Sequence, residues 1–550
     1  MISLWYISLL LSLSSDIHPN PGPELDRSYR NGFFSFCNWN LNTMSKNNFY
    51  RVTLLESHSL VNKYDIISLC ETSLNDDIEL DPNLLPGYRF VSLNNPDGSA
   101  NGGVGIFYKE YLPLRVRRDL SFGESLVVEM KFGRKKIFFT VVYRNPLHKA
   151  NSPEFSSFLE NFKDLYVKIN DENPYACFFS GDFNGHSQSW YPDGDTNLEG
   201  SMLDDFFNSL NLTQLISEPT HYFRENCLPS CIDLIITDQP NLVLESGVRS
   251  SLDPTVNHQI VFCNFNFKIP SPPRYSRKIW HFSRARQDLI NQSLGTINWE
   301  QELLRYENPT DQVQFFNETI LNILSNFIPN EVKQFQPRNP PWFNDEIKKL
   351  TRKHNLLYKK YKKKGFKDND KSVLDQHRVT LSEAILTAKE NHLKSMGNKL
   401  ANPNTAQKTY WKILNTFLNK CKLPRIPPLF IDGKYVTKCS EKATHFNNYF
   451  ASQCTPLNND STLPDFSPLT NNTLSSFQIT DEEIKELLTG LNTNKAHGPD
   501  EISVRMLKIC GDNLILPLNI IFTNILNTGI FPSQWKKANV TPVHKKMTNN

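Results

Sequence analysis

Cys177-Phe178-Phe179-Ser180-Gly181-Asp182-Phe183-Asn184-Gly185 is the stretch on which the fold turns. An apolar run of strand length ends on a glycine, and a carboxylate and an amide follow at once. The same shape recurs on both sides. Phe33–Trp39 closes on Asn40, Asp65–Cys70 on Glu71, and Ile137–Val142 on Tyr143. Asp233 opens Leu234–Thr237, and His258 stands just before Ile260–Phe267. With Val104–Tyr108 and Leu126–Phe132 these runs make a chain of strand candidates from residue 33 to 267. Helical stripes intervene at Tyr50–Val61 and at Phe155, Phe158, Leu159, Phe162, Leu165 and Tyr166. Strands mixed with helices over this length predict an α/β domain, a β-sandwich with helical outer layers.

Polar groups bordering buried strands are costly to desolvate unless they face a cleft, bind an ion or pair with one another. Several such groups on one sheet edge would suit metal-assisted hydrolysis of an anionic phosphodiester. A hard cation takes carboxylate and amide oxygens, as Glu71 and Asn40 offer. Asp182 can orient or deprotonate water, and Asn184 and Tyr143 can donate to non-bridging oxygens. Asp233 with His258 forms a plausible dyad, the carboxylate holding the imidazole in one state. Each residue also has a structural alternative: Asp182-Phe183-Asn184-Gly185 is a turn sequence, and Tyr143 could be a core aromatic. Asn145, His186 and Asp253 are read as structural.

At 550 residues the chain is too long for one core, and 39% hydrophobic with 12% aromatic content excludes wholesale disorder. A net charge of +3 leaves nucleic-acid affinity to local basic clusters. The ten cysteines hold one close pair, Cys227 and Cys231, with no second pair at zinc spacing. They are read as reduced thiols; Cys37, Cys70, Cys177 and Cys263 lie in apolar runs. The leader, residues 1–30, opens on the apolar stretch Ile2–Leu13, too short to span a bilayer. No later segment reads as a transmembrane helix, so no membrane partner is expected. Asp16-Ile17-His18-Pro19-Asn20-Pro21-Gly22-Pro23 resembles ribosome-skipping peptides, with His18 where that pattern has Glu. A signal-like segment and a plain Pro/Gly-rich leader stay open beside it. The expected location is nuclear or cytoplasmic.

Trp39-Asn40, Cys70-Glu71-Thr72, Val142-Tyr143, Gly181-Asp182-Phe183-Asn184, Ile232-Asp233-Leu234 and Asn257-His258-Gln259 occur in a fixed order. Together they resemble the endonuclease/exonuclease/phosphatase superfamily, which includes apurinic-type endonucleases. The resemblance implies a four-layer α/β sandwich over residues 31–268 and Mg²⁺-dependent cleavage leaving a 3′-hydroxyl, with Mn²⁺ as the alternative ion. It assigns the metal to Glu71 and Asn40, with Asn257 standing where the family has Asp. It assigns phosphate binding to Tyr143, water and phosphate to Asp182 and Asn184, orientation to Asp233, and transition-state stabilisation to His258.

Pro270, Pro272 and Pro273 mark a boundary. A mainly helical, basic connecting region is expected over 269–475, with a polar linker around 458–472. Lys348, Lys349, Arg352, Lys353, Lys359, Lys360, Lys362, Lys363 and Lys364 crowd one segment with Tyr358 and Tyr361. That segment, 348–364, is a candidate RNA grip with stacking tyrosines, or a solvated helix face. Residues 476–550 carry Leu491 to Asp500, Ile502-Ser503, Thr528-Gly529 and Phe531-Pro532. These resemble the opening of a retroelement reverse transcriptase. The whole order resembles a LINE-type, non-LTR retrotransposon polyprotein, with DNA as target and the polymerase part expected truncated and inactive. Two rival functions remain: a phosphatase or exonuclease of the same fold, and a catalytically dead nucleic-acid-binding remnant.

Overall fold

The computed structural model describes residues 33–44, 46–75, 84–95, 102–132, 135–222, 229–267, 275–335, 340–365, 368–417, 426, 428–432, 434–436, 438–454, 478–493, 495 and 497–542. The leader, the prolines at 270–273, Cys227 and the 458–472 linker lie outside them.

Twelve strands build two six-stranded sheets. The first has the order β11(Val243–Arg249)-β12(Ile260–Phe265)-β1(Phe34–Asn40)-β2(Ile66–Cys70)-β4(Val104–Lys109)-β3(Tyr88–Leu93). The second runs β5(Leu114–Val116)-β6(Ser125–Phe132)-β7(Lys135–Tyr143)-β8(Ala176–Asp182)-β10(Asp233–Thr237)-β9(Thr213–Gln214). Every strand candidate from the sequence lies on one of these.

The two-residue period of β1 explains the layering. Phe34 and Phe36 enter the core between the sheets, where Phe34 stacks on Phe139 (centroids 5.4 Å) and Phe139 on Phe178 (5.6 Å). Cys37 and Trp39 face the other way, onto Val52 and Leu55 of α1(Lys46–Asn62). On the far side, α2(Pro153–Asp171) packs on the second sheet through Phe155, Phe158, Phe162, Leu165, Tyr166 and Ile169. Ser152 caps α2 by accepting from Phe155 N–H, and Pro153 suits the first turn. With α3(Leu198–Ser209) the result is a helix–sheet–sheet–helix sandwich.

The chain divides into two compact units, and the division differs from the boundaries the sequence suggested. The described residues of Arg27–Pro272 and Pro337–Thr437 form one unit; those of Pro273–Gln336 and Lys438–Asn550 form the other. In the first, α4(Asp345–Lys363) and α5(Asp368–Ala401) pack against the sandwich. Trp342, Phe343, Ile347, Leu381 and Ile385 cluster with Leu54 of α1 and with Leu252. Lys389 donates to Thr53 Oγ1 (2.9 Å) and Glu56 Oε2 (3.2 Å). Tyr358 and Tyr361, expected as stacking faces, are buried in the sandwich core instead. Their apolar rings gain more from that core than from solvent.

In the second unit, helices Gln287–Gly295, Trp299–Leu303 and Pro309–Phe327 share one core with Asp481–Gly490, Val504–Cys510 and Ile515–Thr528. Residues 476–550 therefore do not carry a core of their own. The expectation of no membrane-length apolar helix needs correction: Val504–Thr528 is long and apolar enough by length and composition. Arg505, Lys508 and Asp512 interrupt its first half, which is why no unbroken apolar run marks it in the sequence. Met506, Cys510, Leu514 and Ile521 along it are buried in the shared core.

Candidate active site

Strand direction gathers the polar residues. β1 and β2 are parallel neighbours, Asn40 opposite Cys70, so Asn40 and Glu71 emerge at one edge. β7 and β8 are also parallel, with Tyr143 opposite Asp182. β10 runs antiparallel to β8, so its first residue, Asp233, pairs with the last of β8, Asp182. β12 runs antiparallel to β1, which puts His258, just before it, at the same rim. Carboxyl ends of parallel strands thus meet amino ends of antiparallel ones.

The side chains touch. Asn40 Nδ2 donates to Glu71 Oε1 (2.8 Å) and to Asp182 Oδ2 (2.9 Å). His258 Nδ1 donates to Asp233 Oδ2 at 2.9 Å. Asp182, Asp233 and His258 each bring a ligand atom within 4.8 Å of the others. Asn184 N–H donates to Asp182 Oδ1 (3.0 Å), and its side-chain amide donates to the Arg144 carbonyl (2.8 Å). Asn257, by contrast, is exposed beside His258, and its carbonyl accepts from Tyr222 N–H. Glu71 (φ 54°) and Asn184 (φ 49°) hold left-handed backbone, strain typical of functional rims.

Charge follows the geometry. Burial, reinforced by Asp233, raises the Asp182 pKa to about 7. Burial alone would depress His258, but the charge and hydrogen bond of Asp233, with the charges of Asp182 and Glu71, together outweigh it and raise its pKa to about 9. Burial, then the charges of Glu71 and Asp182, drives the Tyr143 phenol upward. His258 is therefore an imidazolium at neutral pH, a cation beside three carboxylates. The cluster keeps an excess of negative charge, and Asp233 Oδ1 is buried with no hydrogen-bond partner. Glu71 and Asp182 bring hard carboxylate oxygens to either side of the Asn40 amide, whose own oxygen accepts from Asn42 N–H (3.1 Å), a donor chemistry that fits a small divalent cation.

Residues 37–255 match the model of the Endonuclease/Exonuclease/phosphatase family. The sandwich is an endonuclease/exonuclease/phosphatase domain. The chain is also 21% identical over 480 residues to the RNA-directed DNA polymerase from mobile element jockey of Drosophila melanogaster, covering 84% of this chain and 50% of that protein. It is 22% identical over 488 residues to the probable RNA-directed DNA polymerase from transposon BS of the same fly, covering 84% and 50%. The chain spans about half the length of the curated relatives it matches. Among solved structures it is similar to the endonuclease domain of TRAS1, a telomere-specific non-LTR retrotransposon (19% identity, 42% of this chain and 98% of that one, TM-score 0.34). It is also similar to AP endonuclease LMAP from Leishmania major (15%, 48% and 98%, TM-score 0.36).

The endonuclease/exonuclease/phosphatase domain holds further residues that sequence reasoning missed. His221 bridges to His258 across a short antiparallel contact, ring centroids 4.5 Å apart, and burial then the His258 charge lower its pKa to about 4. Thr220 Oγ1 accepts from the Ile232 and Asp233 backbones (3.1 and 3.0 Å), fixing where β10 begins. Arg144, buried, donates to the carbonyls of Phe183, Asn184 (2.7 Å) and His148 (2.6 Å), and so holds the turn after Asp182. No local signal marks His221 or Thr220, since their partners lie in distant strands. Asp253 is structural: it pairs with Arg51 (2.8 Å) and accepts from Tyr50 (2.7 Å). Asn145 accepts from Leu147 N–H (2.9 Å) in a local turn, and His186 N–H is held by Asn197 (3.0 Å).

Proposed function

We propose that the sandwich is a DNA-nicking endonuclease of a retrotransposon polyprotein, dependent on Mg²⁺ with Mn²⁺ as a substitute, and leaving a 3′-hydroxyl that primes reverse transcription. The observation that carries it is one amide, Asn40, binding Glu71 and Asp182 at the rim where Asp233 holds a protonated His258. A phosphodiester in that rim meets an imidazolium on one side and a buried carboxylate on the other. His258 neutralises charge as it develops on the non-bridging oxygens, and Asp233 keeps it protonated and oriented. Asp182 orients the attacking water and takes its proton, a role its raised pKa suits. Tyr143 stays protonated and can donate to the phosphate. Glu71 and Asn40 would hold a divalent cation, which would supply Lewis-acid stabilisation of the same charge.

The names of the relatives support reading 476–550 as the opening of a polymerase part within such a polyprotein. The basic segment 348–364 is then a nucleic-acid contact. Localisation to nucleus or cytoplasm goes with this reading.

The complete chain mixed with supercoiled plasmid and Mg²⁺ should give nicked circles that a DNA polymerase extends. Glu71→Ala and His258→Ala should each cut the rate by about 10²–10⁴-fold, and EDTA should abolish it. An intact plasmid with hydrolysed inositol phosphates would transfer the site to phosphatase chemistry.

A further inference from the structure

The helix α4 has two faces with different fates. Ile347, Thr351, His354, Tyr358 and Tyr361 form its buried stripe. At 100° per residue the opposite face carries Lys349, Arg352, Lys353, Lys359, Lys360 and Lys363, all exposed. None of these six makes an ion pair among the described residues, whereas Lys348, Lys362 and Lys364 are held by Asp345, Glu218 and Asp370. Exposed cations without ion pairs, grouped as Lys349, Arg352 and Lys353 and as Lys359, Lys360 and Lys363 on either side of Leu356, are a poor solvated face but a good partner for phosphates along a backbone.

Position says which phosphates. Lys362 Nζ lies 2.6 Å from Glu218 Oε1, three residues before His221, whose ring meets that of His258. Tyr222, next in the chain, packs on the core that contains Tyr358 and Tyr361, and Lys371 of α5 sits 5.1 Å over its ring. The carboxyl end of α4 is thus tied to the loop that touches the catalytic imidazole. A duplex held at the rim continues past that loop. The helix, 19 residues long, extends ~28 Å, roughly eight base pairs.

We infer that the outer face of α4 is a docking surface for the DNA duplex flanking the bond that the sandwich cuts. This rests on the nicking reading above. The interaction is with the backbone and carries no base sequence, because lysines read charge rather than base edges.

The test uses the complete chain and a variant with Lys349→Gln, Arg352→Gln, Lys353→Gln, Lys359→Gln, Lys360→Gln and Lys363→Gln. Glutamine keeps helix propensity, and the buried stripe is untouched. Circular dichroism and hydrolysis of bis(p-nitrophenyl) phosphate should match the wild type, which shows the fold and the rim intact. Binding of a ~30-bp duplex should weaken, and its salt slope should flatten by up to about 5, six contacts at ~0.9 each. KM for plasmid nicking should rise at least about tenfold with kcat nearly unchanged. A hydroxyl-radical footprint should lose protection on one side of the nick. Equal salt slopes and equal KM would overturn the inference, as would an RNA hairpin that binds more tightly than the duplex and loses more in the variant. Duplex binding that needs the lysines, without any nicking by the wild type, would sink the nicking reading and leave the DNA surface standing.

Discussion

Asp233 sits fully buried against His258, and that pairing sets the protonation state of the rim. The His258 pKa of about 9 lies above its ordinary value, so the imidazolium is present below that pH and lost above it. Nicking should fall on the basic side with a midpoint near 9. Asp233→Asn should move that limb to lower pH, because burial then acts on His258 without its main counter-charge. A pH–rate profile of both proteins checks this, and a limb that does not move would remove the dyad. Gly181, one residue before Asp182, makes a second prediction. A Cβ there would stand 1.7 Å from the Val142 carbonyl, and its φ of +157° already disfavours a side chain. Gly181→Ala should cost more than the ~1–3 kcal/mol of ordinary overpacking and displace Asp182, seen as a lower urea midpoint with lost nicking.

At the scale of elements, α1 is clamped from both sides. Its Arg51 reaches the buried Asp253 at 2.8 Å and the carbonyl of Thr43 at 2.8 Å, tying the loops after β1 and before β12 together. Removing one partner strands the other charge, so Arg51→Ala should cost about 3–5 kcal/mol in urea unfolding. The docking of α4 and α5 has a different weakness. His354 and His377, rings 5.9 Å apart, are buried with no hydrogen-bond partner, and His58 of α1 lies close to His354. Burial, then the neighbouring cations Arg249 for His58 and His377 for His354, lowers both pKa values to about 3. Protons therefore bind the unfolded chain better. The stabilisation is complete above about 6.5, the unfolded value, and is lost as pH falls toward 3. The urea midpoint should drop between pH 7 and pH 5, and His354→Leu should blunt the drop. An equal drop in the variant would place the acid sensitivity elsewhere.

At the scale of the molecule, the sandwich shares two of its apolar clusters with the helices docked on it. A fragment of residues 31–268 would expose Leu54, Leu252 and Tyr222, which α4 and α5 or their flanking residues cover. A fragment joining residues 27–272 to 337–437 through a flexible linker should melt several degrees higher, since ~1 kcal/mol moves the midpoint by about 2–4 °C in domains of this size. Calorimetry of the two fragments decides, and equal midpoints would make the docked helices dispensable. Four strands were not legible in the sequence: Tyr88–Leu93, Leu114–Val116, Thr213–Gln214 and Val243–Arg249. They are β3, β5, β9 and β11, the two edges of each sheet. Edge strands are solvated along one side, so their apolar pattern is diluted by exposed polar residues such as Arg115 and Glu245.

By itself the sequence determined the eight inner strands and the polar residues at their ends, because buried strands demand unbroken apolar runs and their ends are where chemistry can be exposed. It also carried the family pattern through Asn40, Glu71, Asp182, Asp233 and His258. Only tertiary structure decided that Asn40 joins Glu71 to Asp182, that Asn257 faces solvent, that His221 lies on His258, and that Tyr358 and Tyr361 are core. Those outcomes depend on which strands pair and in which direction. Residues separated by more than a hundred positions meet through hydrogen-bonded register, and no local pattern encodes that register.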